Sequence, residues 1–180
     1  MSAKEKMYEN VLKLCLEEYS DKINIFNSLD SKAQQVIAFS GVLLGFLISF
    51  CKKETLEFLN EVNPFSIILC IVSISLLLGA ISLSILSMRI IKLIGMPTYE
   101  EIKMEYLDLK EINEKDYKAD NYYIFINNRI ELWESTLKNI FTINKKKAKK
   151  VFLAQILCGC GLITLGFIGF IILCSYLKFY

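Results

Sequence analysis

The sequence predicts an all-α membrane protein of three transmembrane helices joined to amphipathic cytoplasmic helices, and the distribution of charge predicts it. Residues 33–51, 62–88 and 151–177 carry no charged side chain, while the segments around them are dense in Lys, Glu and Asp. As a helix the shortest stretch is about 28 Å long, close to the hydrocarbon thickness of a bilayer, and the other two exceed it. No strand alternation, glycine-rich phosphate loop or internal repeat competes with this reading. With 54% hydrophobic and 22% charged residues, the composition is divided between lipid and water rather than patterned as one soluble domain.

The first span, residues 33–51, inserts on its own energetics. Val36, Ile37, Phe39, Val42, Leu43, Leu44, Phe46, Leu47, Ile48 and Phe50 each favour the bilayer centre by about 0.3–0.6 kcal/mol, against about 3 kcal/mol for a central Lys or Asp. The charged segment 1–32 precedes it and is longer than a secretory n-region, so the span reads as a retained helix. Along 1–32 a helical side formed by Leu12, Leu16, Tyr19, Ile23 and Phe26 leads toward the membrane.

The second span begins with Asn63 as N-cap and Pro64 at the first helical position. Residues 64–95 read as one helix extending into the cytoplasm, ended by Arg89, Lys92 and Gly95. Met96 and Pro97 break the chain, and Thr98 with Glu101 forms a capping box. Residues 96–148 then read as a cytoplasmic helical hairpin. Its first face is Tyr99, Ile102, Tyr106, Leu109 and Asn113; the pattern restarts near Asp120 as Tyr122, Ile126, Ile130, Trp133, Leu137 and Ile140. These seams either close a monomeric bundle or are shared between subunits of a homo-oligomer. Residues 149–177 form the third span.

Charge asymmetry sets the orientation. Residues 1–32 hold five lysines and residues 89–150 thirteen Lys or Arg, against Lys52 and Lys53 in the loop 52–63. The positive-inside rule places the N-terminus and residues 96–148 in the cytoplasm, with the loop 52–63 and the tail 178–180 outside, in a multi-pass membrane protein. Arg89, Lys92, Lys145, Lys146, Lys147, Lys149 and Lys150 are the topology anchors. An anionic-lipid site at the lysine run is the alternative to plain anchoring, and nucleic acid is not an expected partner.

Catalytic chemistry is nearly excluded by composition. The chain has no histidine, hence no Ser-His or Cys-His arrangement, and Glu17-Glu18 and Glu100-Glu101 neighbour lysines on solvated faces. An enzyme, a cofactor and a metal site are not expected. Cys70, Cys158 and Cys160 fall inside spans as small apolar residues, and Cys15 is cytoplasmic; a bridge between Cys51 and Cys174, both toward the outer face, stays open.

Small residues mark where helices approach. Gly41, Gly45 and Ser49 recur every four residues in the first span. In the second, Ser66, Ser73, Ala80 and Ser87 keep a seven-residue repeat, widened by Ser75, Ser82 and Ser84; Gly159, Gly166 and Gly169 serve the third. Such a hydroxyl face either satisfies itself on backbone carbonyls or lines water in an assembly. No charge sits at mid-span, which argues against a proton relay, voltage sensor or ion-coupled transporter.

The string from Phe26 to Gln35, with Asp30, Lys32 and Ala33 at the membrane entry, resembles the Asp-x-Lys-Ala entry motif of Pycsar-type and SLATT-type membrane effectors of bacterial antiviral systems. The lysine run from Lys146 into the third span resembles the basic re-entry of such proteins. The resemblance implies a small effector, held silent in the cell inner membrane, that oligomerises or rearranges on an infection signal and disrupts the membrane, with Asp30, Lys32 and Ala33 as hinge. Many such effectors carry an attached sensor, and nothing in this chain matches one; a separate sensor or signal-producing protein is then implied. Ser31 and Gln34 have a second reading, as a capping box that restarts the helix. Other readings of the whole are a membrane scaffold docking a cytoplasmic partner and a small channel of unrelated role.

Overall fold

The structure, a computed structural model, describes residues 3–50, 57, 59, 64–88 and 120–178. Cys51, most of the loop 52–63, the basic end with Arg89, Lys92 and Gly95, the capping box at Thr98 and the first half of the expected hairpin lie outside the described residues. Among the described residues there is no strand; the elements are α1 (Ala3–Phe50), α2 (Phe65–Met88) and α3 (Asp120–Lys178). Each holds a window long and apolar enough to cross a membrane.

At 48 and 59 residues, α1 and α3 extend about 72 and 88 Å. Positions 32/33 and 148/149, expected as boundaries between cytoplasmic helix and span, are interior to these helices. The capping-box reading of Ser31 and Gln34 therefore does not hold. No Gly or Pro occurs before Gly41 in α1, and Lys32, Ala33, Gln34 and Gln35 are good helix formers that carry the helix through. At the start of α2 the Ile67 amide donates to the Pro64 carbonyl at 3.3 Å, so Pro64 closes the first turn.

The chain divides into two compact units, Met1–Asn27 with Ile90–Lys145, and Ser28–Arg89 with Lys146–Tyr180. In the first, α3 buries Trp133, Thr136, Leu137, Ile140 and Ile143. Tyr19 of α1 meets Trp133 edge to face, centroids 5.4 Å apart. The Lys22 ammonium lies 5.4 Å from the Phe141 ring centroid and pairs with Glu18 at 2.9 Å. The α1 side that turns inward is Cys15, Tyr19, Lys22, Ile23 and Phe26, each half-buried, whereas Leu16 is exposed.

In the second unit α2 buries Ser66, Cys70, Ser73, Leu77, Ala80, Ser84 and Ser87, alternating steps of four and three. The seven-residue repeat expected from the sequence is thus the inward seam, and Ser84 belongs to it. On α3 the same rhythm runs through Lys147, Val151, Ala154, Cys158, Gly161 and Ile168. This spacing of 3.5 residues is the one that keeps a seam facing its neighbours. Contacts from Asp30 to Lys147 and from Ser40 to Cys158 set α1 and α3 parallel. Those from Ser73 to Gly161 and from Leu86 to Lys150 set α2 antiparallel to α3.

Candidate functional site: a polar seam and its charged mouth

The second unit is apolar outside, and inside it mixes small residues and serines with a few larger apolar ones such as Leu44, Leu47, Leu77 and Val151. Ala33, Ser40, Ser66, Ser73, Ala80, Ser84 and Ala154 are fully buried, whereas Val42, Phe46, Ile48, Ile71, Phe152, Ile163, Phe167 and Phe170 are at least 59% exposed. Water disfavours such an arrangement, since most of the large apolar side chains stay exposed on folding. Lipid accepts it, because small residues let backbones approach and large ones face acyl chains.

Close approach is measurable at Gly161. A Cβ there would stand 3.0 Å from Leu77 Cγ and Cδ2, and one on Gly79 would stand 3.4 Å from Leu157 Cδ1. The stripe expected to pack, Gly41 and Gly45 with Ser49, is exposed, and a Cβ on either glycine meets nothing within 4 Å; the same is true of Gly159, Gly166 and Gly169. Those glycines face away from the described helices of this chain.

The hydroxyls divide into three groups. Ser73 donates across to the Gly161 carbonyl at 3.0 Å and Ser40 to the Cys158 sulfur at 3.3 Å. Ser49, Ser75, Ser87 and Thr164 return to carbonyls three or four residues back on their own helix. Ser66 and Ser84 are buried with no hydrogen-bond partner for Oγ. Self-satisfaction on sulfur or carbonyls thus accounts for Ser40, Ser49, Ser73, Ser75, Ser87 and Thr164, and does not account for Ser66 and Ser84.

A charged mouth closes one end of the seam. Lys147 Nζ stands 2.6 Å from Asp30 Oδ2, with the lysine side chain 2% and the aspartate 29% exposed. The second oxygen, Asp30 Oδ1, is buried without a hydrogen-bond partner. Ala33 lies one turn along α1 with no exposure, so two residues of the entry string are seam residues while Lys32 between them is exposed. Lys150 donates to the Leu86 carbonyl at 3.2 Å, near the C-terminal end of α2 where a cation is favourable. Lys145, Lys146 and Lys149 are exposed.

The structure thus turns Ala33, Ser73, Ala80 and Lys147 inward, pairs Asp30 with Lys147, and leaves Gly41, Gly45, Gly159 and Gly166 outward. The sequence reading missed Ser40, Ala154, Cys158 and Gly161, and it treated Lys147 as one anchor among several. Counting sevens from Trp133 through Ile140 reaches Lys147, Ala154, Gly161 and Ile168; that signal was available in the spacing. Among the described residues no three His, Cys, Asp or Glu side chains gather as metal ligands would, and Cys15, Cys70, Cys158, Cys160 and Cys174 are free thiols. Comparison with protein-family models, with curated proteins and with solved structures found no match.

Proposed function

We propose that this chain is a non-catalytic effector of the inner membrane, N-terminus cytoplasmic, that rearranges or oligomerises on a signal and disrupts membrane integrity in bacterial antiviral defence. The observation that carries the proposal is the polar seam. Ser66 Oγ, Ser84 Oγ and Asp30 Oδ1 are buried without partners, and each such atom costs on the order of 1–3 kcal/mol that hydration would return. A quiet bundle with unsatisfied polar atoms along its axis is biased toward a second packing that admits water. The resemblance at Asp30, Lys32 and Ala33 supports the same reading, since Asp30 and Ala33 hold α1 against its neighbours. A separate protein or small molecule supplies the signal.

The test is reconstitution into liposomes with the product of a neighbouring gene or its signal. Release of a trapped dye on activation is expected. Intact vesicles under every such condition, with the protein inserted, would remove the permeabilising role.

A docking scaffold is the second reading, and one observation favours it. Met7, Leu14, Ile25 and Phe141 of the first unit are 52–63% exposed, outside the apolar spans. A scaffold is tolerated when overproduced and co-purifies with one protein, whereas an effector arrests growth.

A further inference from the structure

Two outward lines of residues stay unused by the packing of the second unit. On α1 the line is Gln34, Ala38, Gly41, Gly45 and Ile48, on α3 it is Gln155, Gly159, Leu162, Gly166 and Gly169, and all of these are exposed. Both lines step by four, three, four and three, which keeps each within about 40° of one direction on its own helix. Their glycines are open, since a Cβ on any of them meets nothing within 4 Å. Glycine lowers helix stability and here gains nothing from packing within the described chain. Gln34 and Gln155 lie in the uncharged stretches, exposed and with no hydrogen-bond partner among the described residues. An amide turned toward acyl chains without a partner is unfavourable, and a glutamine on another helix answers it, because each amide both donates and accepts.

The depths of the two lines match. Ser40 meets Cys158 across the parallel helices, so a residue of α1 shares its level with the residue of α3 that is 118 further along the chain. Gly41 is then level with Gly159, Ile48 with Gly166, and Gly45 within one residue of Leu162. Gly41 and Gly159 leave the point of closest crossing, and beyond it the bulk of Ile48 and of Leu162, 66% and 45% exposed, each faces a glycine of the other line. Gln34 and Gln155 are three levels apart, about 4.5 Å, within reach of two amide side chains. We infer that the α1 line of one molecule docks on the α3 line of a second copy. Identical chains lie in a bilayer at one depth and in one orientation, so the match of levels within a chain holds between copies, and no unrelated partner is obliged to share it. The two lines are different surfaces, so the contact is head-to-tail: each pair keeps one line of each kind free, and addition continues until a ring closes or a row extends. The inference rests on the membrane reading proposed above and names the surface through which the chain assembles.

The experiment uses the full chain in vesicles, with its six cysteines replaced by alanine and its helicity checked by circular dichroism. Copies carrying Gly41→Cys are mixed with tagged copies carrying Gly159→Cys and oxidised. Disulfides between unlike copies are expected to exceed those between like copies about tenfold, and a chain carrying both substitutions is expected to give a ladder of multimers. A second measurement, multimer size after amine crosslinking, keeps the native cysteines. Gly166→Ile, which meets nothing within its own chain, lowers assembly about tenfold by placing bulk against Ile48. Adding Ile48→Gly to that variant restores assembly, because bulk and gap have changed helices. Disulfides that form equally or preferentially between like copies, the absence of any disulfide in inserted protein, or an exchange that fails to restore assembly overturns the proposal. Dye release enters neither readout: copies that assemble this way without leakage keep the interface and lose the effector role, and leakage without such assembly does the reverse. A chain that enters no vesicle ends the membrane reading and this interface with it.

Discussion

The two ends of α1 and α3 are built on opposite plans. Between residues 15 and 26 of α1 and 129 and 144 of α3, aromatic and branched side chains such as Tyr19, Trp133, Leu137 and Ile140 turn inward, and Glu17, Asp21, Glu131, Glu134 and Lys138 turn outward. In the second unit small residues, Ala33, Ser40, Ala154, Cys158 and Gly161, share the inward side with Val36, Leu44, Leu47 and Val151, and Phe46, Phe152, Ile163 and Phe167 turn outward. Both plans keep the same alternation of threes and fours. On the membrane reading proposed above, the difference lies in what the solvent rewards. Water drives large apolar groups together, whereas lipid offers no such gain and leaves close backbone packing and interhelical hydrogen bonds to hold the helices.

Breaking each plan at its own centre gives the largest effects. Trp133→Ala removes the ring that meets Tyr19 and costs about 3–5 kcal/mol. It is expected to unfold the first unit while the spans stay helical, as read by circular dichroism and limited proteolysis. Removing Lys147 strikes the second unit through charge. Lys147→Ala strands a largely enclosed carboxylate and costs about 3 kcal/mol, the low end for such pairs because Asp30 keeps 29% exposure. Register is the readout: with Ser40→Cys the new thiol takes the place of a hydroxyl 3.3 Å from Cys158, and oxidative crosslinking reports whether α1 and α3 remain aligned. Crosslinking falls in Lys147→Ala and recovers in part when Asp30→Lys is combined with Lys147→Asp.

Glycine substitutions sharpen the contrast within the second unit. Gly161→Val pushes on Leu77, already 3.0 Å from a Cβ, and is expected to cost about 1–3 kcal/mol. Gly41→Ala and Gly45→Ala meet nothing within 4 Å and gain up to about 1 kcal/mol of helix propensity each. Loss of vesicle leakage in these stabilised variants would locate a contact with another molecule on that stripe, whereas unchanged leakage would leave it facing lipid.

The smallest effect is chemical. Burial, with the Glu18 carboxylate adding to it, raises the Cys15 thiol above its ordinary value. The unfolded chain forms thiolate at lower pH, so the contribution of Cys15 to stability is full below the unfolded pKa and fades as pH rises through the folded one. Maleimide labelling of Cys15 at pH 8, followed by mass spectrometry, is expected to be slower in the folded protein than in denaturant.

The helical class and the three apolar stretches were legible because uncharged runs of that length have few other uses. The seam of α2 was legible too, since Ser66, Ser73, Ala80 and Ser87 differ from the Leu and Ile around them. The corresponding seam of α3 was hidden by chemical variety: Lys147, Ala154, Gly161 and Ile168 share a spacing and nothing else. The glycine stripes lie outward for a physical reason. A pair at intervals of four permits close approach without requiring it, and the helix phase that brings Ser40 and Leu44 inward turns Gly41 and Gly45 outward. The pairing of Asp30 with Lys147 joins residues on different helices, so no local pattern announces it.

Tryptophan fluorescence in vesicles of brominated phospholipid separates the two plans in one measurement, because Trp133 is the chain's one tryptophan. In a Trp133→Phe background, Phe167→Trp is expected to be strongly quenched by bromine on the acyl chains, while native Trp133 keeps its emission. Equal emission from both in brominated and ordinary lipid would mean that Phe167 does not face acyl chains, and the lipid-facing reading of the second unit would be lost.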